Sequence, residues 1–506
     1  MIHRLDASDW RAICHYLGML VWICAAVMVV PLVAGLVMGE YAAAVNFLLS
    51  IGASLVVGSV LAFARVRKGP LDWNQSIVIT GLVWVVFAAV GCMPLWLSGC
   101  YLTPLDAFFD AVSAFTTTGL STCADLEHMA TCVVLWRSLM CLIGCVGVIT
   151  IALALGVFGT GAVAASLYRA EAREGTVMPE VKQTAQFIVV LAASVVAAGT
   201  AVLFVVMLAK GLSPSSALLN AFVVTVASFS TSGIVNHTLG IMYYHSWPLE
   251  VMTLLLAAFG CVNFMLFGNI WRNGDRKLFF KDIEVRTFAI WGIALAALLA
   301  FALAGNDYFG SLDSEVRRGG YLILSGTFNI GLSTMYAGQE LYAIGSGALF
   351  VVILSMAVAG STSSASGGIK ALRIGLIAKG VVQMVRTSLA PERARPRTFY
   401  HHFGRCLLDS ETVSQAMLIT LLYVITFGIG AVAGIVCGYD AVPAIFESVS
   451  ATSNTGLSVG IASAGMPVAL ELVYILEMWL GRLEFITFFA MVIEVFSTLA
   501  ARRPER

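Results

Sequence analysis

Charge is what this sequence has least of. Asp, Glu, Lys and Arg make up 11% of its 506 residues, against 59% hydrophobic residues. Soluble domains carry about 25% charged residues, so a water-exposed globular surface is excluded. Net charge is zero, which removes any overall bias toward nucleic acid. Catalytic signatures are missing as well. There is no Ser/His/Asp set, no H-E-x-x-H, no phosphate-binding loop and no dinucleotide fingerprint, so no enzyme chemistry is expected. The eleven cysteines lack metal-type spacing. Cys100, Cys123 and Cys132 are able to pair, but free thiols are the stronger expectation. The seven histidines are scattered, and His401 and His402 in a basic segment are not expected to bind metal.

Long stretches without any charge take the place of a charged surface. Residues 16–39, 41–64, 73–105, 138–168, 183–209 and 412–439 contain no Asp, Glu, Lys or Arg, and a membrane span needs about 20 apolar residues. The first run is too long for a signal-peptide core and reads as a retained span. Twenty-four of the 29 basic residues fall in six clusters, Arg4 and Arg11, Arg65 to Lys68, Arg169 to Lys182, Arg272 to Arg286, Lys370 to Arg405, and Arg502 to Arg506. The alternate connections hold acids such as Glu40, Asp110, Glu127, Asp307 and Glu447. The positive-inside rule then puts both termini and the basic loops in the cytoplasm of a multi-pass inner-membrane protein. Spans are expected near 14–38, 43–65, 75–99, 129–157, 183–210, 246–270, 285–305, 340–385, 410–437 and 467–498, with 386–409, containing Pro391 and Pro396, as a cytoplasmic linker.

Four of the outward connections share one form: a short apolar stretch, Ser/Thr-rich residues, then Gly followed by Leu or Ile. The first runs Asp106 to Ser121 through Gly119 and the last Pro443 to Ser458 through Gly456, and a constant offset of 337 superimposes them. An offset of 114 carries Phe115–Gly119 onto Phe229–Gly233, and one of 212 carries Gly119-Leu-Ser-Thr onto Gly331-Leu-Ser-Thr. The predicted fold is all-α and membrane-integral. It has four pseudo-symmetric span–pore-helix–filter–span repeats around one pore, at 71–165, 166–275, 276–385 and 410–506, preceded by a two-span unit at 1–70.

Non-helical backbone at membrane depth must be buried in protein or line a wet cavity. Four such segments meeting on one axis would aim carbonyls at an ion and replace its hydration shell, and short helices ending at them would favour a cation. The expected filter residues are Thr116, Thr117, Thr118 and Gly119; Ser230, Thr231, Ser232 and Gly233; Phe328, Asn329, Ile330 and Gly331; and Ser453, Asn454, Thr455 and Gly456. No covalent cofactor is expected, only K+ ions in that filter. Asp110 and Glu447 either concentrate cations or bind nearby backbone donors. The span at 340–385 is interrupted at Ala359–Gly368 by residues that open a helix. A flexible gate beneath the filter is expected there, comprising Gly360, Ser361, Thr362, Ser363, Ser364, Gly367, Gly368 and Lys370. Arg482, midway along the last span, is expected to face the pore, held by Glu477, Glu484 or gate carbonyls, or else to form a structural ion pair. Arg137 lies near the start of its span, where snorkelling costs little, and is assigned no pore role.

These segments, with Trp136-Arg-Ser-Leu, Gly144 and Gly147, Leu167-Tyr-Arg-Ala-Glu-Ala172, Ala359-Gly-Ser-Thr-Ser-Ser-Ala-Ser-Gly-Gly-Ile-Lys370 and Gly481-Arg482, resemble the Trk-type potassium-uptake subunits of the Trk/Ktr/HKT superfamily over nearly the whole chain. The resemblance implies a homodimer with one pore per subunit, gated by a cytoplasmic nucleotide-binding regulatory subunit. The third segment, Asn329-Ile-Gly331, lacks the family's usual second glycine, and Leu457 stands where many members have proline. In plant-type relatives a serine at the first glycine goes with sodium transport, so Gly119 favours potassium. A sodium-permeable or ion-coupled carrier, and an organic-solute transporter with two broken helices, are the alternatives.

Overall fold

The computed structural model describes residues 5–63, 71–155, 167, 181–274, 277–303, 311–335, 340–391 and 397–500. The basic residues at 65–68, 169–173 and 502–506, Asp307, Pro396 and all of the Leu167–Ala172 motif except Leu167 lie outside them.

Helices α1 (Ala7–Met38) and α2 (Tyr41–Ala62) form an antiparallel pair turned at Gly39, whose φ is 77°. A Cβ on Gly18 would stand 2.5 Å from the Gly58 carbonyl, so the two backbones touch, as small residues permit between apolar helices. Between them, Glu40 accepts the Thr131 and Cys132 amides at 2.8 and 3.1 Å. Burial opposes its charge, yet those donors hold its carboxyl below the usual range.

Four longer units follow. Helix α3 (Trp73–Leu97) opens on an Asp72/Gln75 capping box and leads to α4 (Pro104–Phe115), α5 (Thr131–Val146) and α6 (Val148–Ala154). Next come α7 (Val181–Ala209), α8 (Pro214–Phe229), α9 (Trp247–Cys261) and α10 (Phe264–Asn273). The third unit holds α11 (Ile283–Leu303), α12 (Gly320–Thr327), α13 (Ser346–Ala357), a parallel bridge of β1 (Val358–Ala359) with β2 (Ile369–Lys370), and α14 (Ala371–Leu389). After an antiparallel hairpin of β3 (Phe399–His402) and β4 (Gly404–Leu407) come α15 (Ser410–Val436), α16 (Ala441–Thr452), α17 (Val468–Leu483) and α18 (Phe485–Ala500).

Six described helices, α1, α2, α3, α7, α11 and α15, are long and apolar enough to cross a membrane. Val37, Ile293 and Phe301 point large apolar side chains outward from them, a surface that only lipid covers cheaply. The molecule is a multi-pass membrane protein.

Two expectations need correction. The spans at 129–157, 246–270 and 467–498 are not continuous. They break at Gly147 (φ 95°), at Val262–Asn263 with an 84° bend, and at Glu484 (φ 64°). The crowding just before each break is shared: a Cβ on Gly144, Gly260 or Gly481 would stand 1.9–2.0 Å from the carbonyl of Phe115, Phe229 or Thr452, at the ends of α4, α8 and α16. In the third unit the glycine sits on the short helix, with Gly326 against Ser355. Nor is 386–409 a plain linker. Helix α14 runs on to Leu389, and Phe403 (φ 54°) turns the β3–β4 hairpin.

Candidate ion pathway

The first two short helices are capped at their starts, and all four fold back at their ends. Thr103 caps α4 in a reciprocal box with Asp106, ahead of Pro104, and Ser213, ahead of Pro214, caps α8 by accepting the Ser216 amide. At the other end the chain folds back on its own helix. The Thr118, Ser232, Ile330 and Thr455 amides donate to the Ser113, Ala227, Ser325 and Ser450 carbonyls at 2.8–3.0 Å. Thr117, Thr231, Asn329 and Asn454 are left-handed, with φ between 51° and 57°, and so is the glycine two residues after each. The N–H groups are thereby consumed inward, and the next carbonyls turn away from the helix.

Those carbonyls meet in a closed ring. A Cβ on Gly119 would stand 1.9 Å from Ser232 O, one on Gly233 2.5 Å from Ile330 O, one on Gly331 2.3 Å from Thr455 O, and one on Gly456 2.1 Å from Thr118 O. Any side chain at these glycines would push the segments apart. Side chains add two stitches, Asn454 Nδ2 to Thr118 Oγ1 and Asn329 Nδ2 to Ser453 O, both 2.8 Å. Hydroxyl pairs stiffen three segments, Thr116 with Thr118, Ser230 with Ser232 and Ser453 with Thr455, at 2.8–2.9 Å. The third segment has Phe328 and Ile330 in those places. The four segments that carry the expected residues therefore meet at their glycines and the carbonyls before them, and a cavity of about 170 Å³ opens onto that ring, lined by the four glycines, Leu126, Arg137 and His237. At its rim Glu127 accepts from His237 and the Thr238 amide, both at 3.0 Å. Partial burial raises its pKa, but those bonds outweigh it and hold the carboxyl below the usual range.

The acids on the short helices are structural. Asp110 accepts from Tyr101 at 2.7 Å, Ser121 at 2.6 Å and Arg137 at 2.8 and 3.0 Å. Arg137 is 2% exposed, so it does not snorkel; it is a buried, bidentate partner locking α5 to α4. Glu447 accepts from Ser458 and the Val459 and Ala462 amides at 2.6–3.0 Å.

Beneath the ring lies the loop between β1 and β2. Ser361, Thr362, Ser363, Ser364 and Lys370 are buried, and the loop is strapped down, not open. Ser361 N donates to Cys261 O at 2.8 Å, Ala365 N to Gly260 O at 3.0 Å, and Thr362 N to Glu284 Oε1 at 2.8 Å. Lys370 Nζ donates to Ser366 O, and Ala371 N closes the loop onto Gly360 O. A Cβ on Gly367 would stand 2.2 Å from Asn454 Oδ1, so the loop touches the ring directly, and Gly368 is left-handed at φ 71°. Arg482 joins the layers. It donates to Ala365 O, to Gly144 O and, at 3.3 Å, to Thr117 Oγ1. The expected acids are engaged elsewhere, Glu484 with Arg373 and Glu477 with Ser448. Sequence reasoning missed the seat at Gly260–Cys261 and the Glu284 anchor. Glu284, an acid at the start of an apolar helix, was the available signal. Cys100, Cys123 and Cys132 are free thiols.

The family model described as cation transport protein, TrkH, matches residues 43–496. An uncharacterized cation transporter of Methanocaldococcus jannaschii is 27% identical over 98% of both chains. The Trk system potassium uptake protein TrkH of Escherichia coli is 25% identical, covering 96% of this chain and 99% of that protein. The crystal structure of the potassium transporter TrkH from Vibrio parahaemolyticus superimposes with a TM-score of 0.80 at 22% identity, over 96% and 99% of the two chains. With the matched segment spanning the glycine ring, the loop beneath it and the helices that hold both, this chain belongs to the TrkH family of cation transport proteins.

Proposed function

We propose that the chain carries potassium across the inner membrane through the ring formed by residues 116–119, 230–233, 328–331 and 453–456. The observation that carries this is the ring of Thr118, Ser232, Ile330 and Thr455 carbonyls, each against the glycine of the neighbouring segment. Carbonyls so placed replace water around a dehydrated cation, and the C-terminal ends of α4, α8, α12 and α16 add partial negative charge. The relatives named as potassium uptake proteins support potassium as the ion. The loop at 360–370, with Arg482, is the gate, seated under the ring until a cytoplasmic nucleotide-binding regulatory subunit displaces it. Two chains pair as a homodimer in the lipid, with both termini in the cytoplasm. Phe328 and Ile330 interrupt the hydroxyl pairing of the ring, which favours some sodium leak as a second property. Radioactive rubidium uptake in a host lacking potassium uptake tests the reading. The wild-type chain is expected to restore uptake, and Gly119→Ser, whose side chain collides with Ser232 O, is expected to abolish it or admit sodium. Unaltered uptake and unaltered reversal potential in mixed potassium and sodium would refute the ring as the filter.

A further inference from the structure

Glu284 has no exposed surface, and its Oε2 has no hydrogen-bond partner among the described residues. An ionised oxygen in that position is costly unless a cation faces it. Its other oxygen already accepts the Thr362 amide of the gate loop. Two residues earlier Asp282, 1% exposed, accepts the Glu284 amide at 2.8 Å through Oδ1 and faces His402 Nδ1 at 3.2 Å through Oδ2. One ligand atom from each of Asp282, Glu284 and His402 lies within 4.8 Å of the other two.

Charge and donor chemistry narrow the occupant. Two buried carboxylates this close repel each other, and a protonated His402 offsets only one of them. Lys370 of the same loop donates to Ser366 O. A divalent cation balances both acids with His402 neutral. One imidazole and two carboxylates suit zinc or manganese; calcium and magnesium prefer oxygen-only sets.

We propose that Asp282, Glu284 and His402 bind one divalent transition-metal cation, which fixes the β3–β4 hairpin to the start of α11 and holds the gate loop seated through the Glu284–Thr362 hydrogen bond. The site stands on its own geometry; its effect on flux rests on the gate reading given above.

The purified full-length protein, stripped with chelator, is titrated with zinc and with manganese by calorimetry. Saturable binding of one ion per chain is expected, and its loss in His402→Ala and in Asp282→Asn. No saturable binding, or equal binding by both variants, overturns the site. Should the variants aggregate, cobalt loading of the wild-type chain decides: d–d absorption bands of a nitrogen-ligated ion support the site and their absence overturns it. In proteoliposomes, saturating zinc on the hairpin side is expected to lower rubidium flux of the wild-type chain several-fold and to spare His402→Ala. Binding without that contrast overturns the coupling to the loop. A Gly367→Val chain whose flux matches wild type while zinc still binds would instead sink the gate reading alone.

Discussion

Arg137 and Arg482 are both cations inside an apolar slab, and their surroundings set them to different tasks. Arg137 meets a carboxylate with two donors in a buried site, the geometry in which an ion pair holds two elements in register. Arg482 donates to two carbonyls and a hydroxyl at the junction of ring, loop and α5–α6. Removing Asp110 therefore strands a buried charge. Asp110→Ala is expected to cost about 3–5 kcal/mol, read as a large fall in the thermal unfolding midpoint in detergent, and Asp110→Ala with Arg137→Leu to recover part of the loss. A single mutant that melts with wild type would show that Arg137 finds water instead. The sequence repeat made Asp110 and Glu447 legible as equivalent positions. It hid Arg137, because placement near the start of a span says nothing about the short helix tucked against it. At the matching place in the last unit stands Tyr474, and Glu447 turns to backbone amides instead.

At the scale of the element, the short helices and glycine segments were readable because Ser, Thr and Gly runs interrupt strongly apolar sequence and match one another residue by residue. The breaks at Gly147, Val262–Asn263 and Glu484 were not, because hydropathy stays high straight across them. Each is dictated by a distant partner, the carbonyl end of a short helix that leaves no room for a Cβ. The loop at 360–370 combines both cases. Its poor helix formers mark the interruption, whereas its seat on Gly260, Cys261 and Glu284 arises from contacts about a hundred residues apart in sequence. Arg482 puts a positive charge beside the loop and a tether on Ala365; on the gate reading proposed above, that charge opposes a passing cation. Arg482→Ala is accordingly expected to raise rubidium flux per molecule several-fold, measured as uptake normalised to protein level. Reduced protein level with unchanged flux per molecule would mark the residue as a brace without a part in gating.

At the scale of the whole molecule, the all-helical membrane class was legible from charge scarcity alone, and the β3–β4 hairpin was the piece composition concealed. What joins the loop beneath the ring to the side of the molecule that carries the β3–β4 hairpin is α14. It begins directly after Lys370, the last residue of the loop, and ends with Val381, Met384 and Leu389 exposed. A helix is stiff along its axis, so displacement of its far end is transmitted to the loop instead of being absorbed between them. What keeps α14 in place is close packing at two glycines: a Cβ on Gly375 would lie 2.5 Å from Thr287 Oγ1 on α11, and one on Gly380 2.7 Å from Val413 Cγ1 on α15. Gly380→Leu wedges α14 off α15 without touching ring or loop. Basal rubidium flux is expected to rise several-fold, with Gly380→Ala rising less because the end of Val413 can rotate aside. Flux equal to wild type in a well-expressed Gly380→Leu chain would show that the loop is held by its own straps at Gly260, Cys261 and Glu284, and that α14 transmits nothing to it.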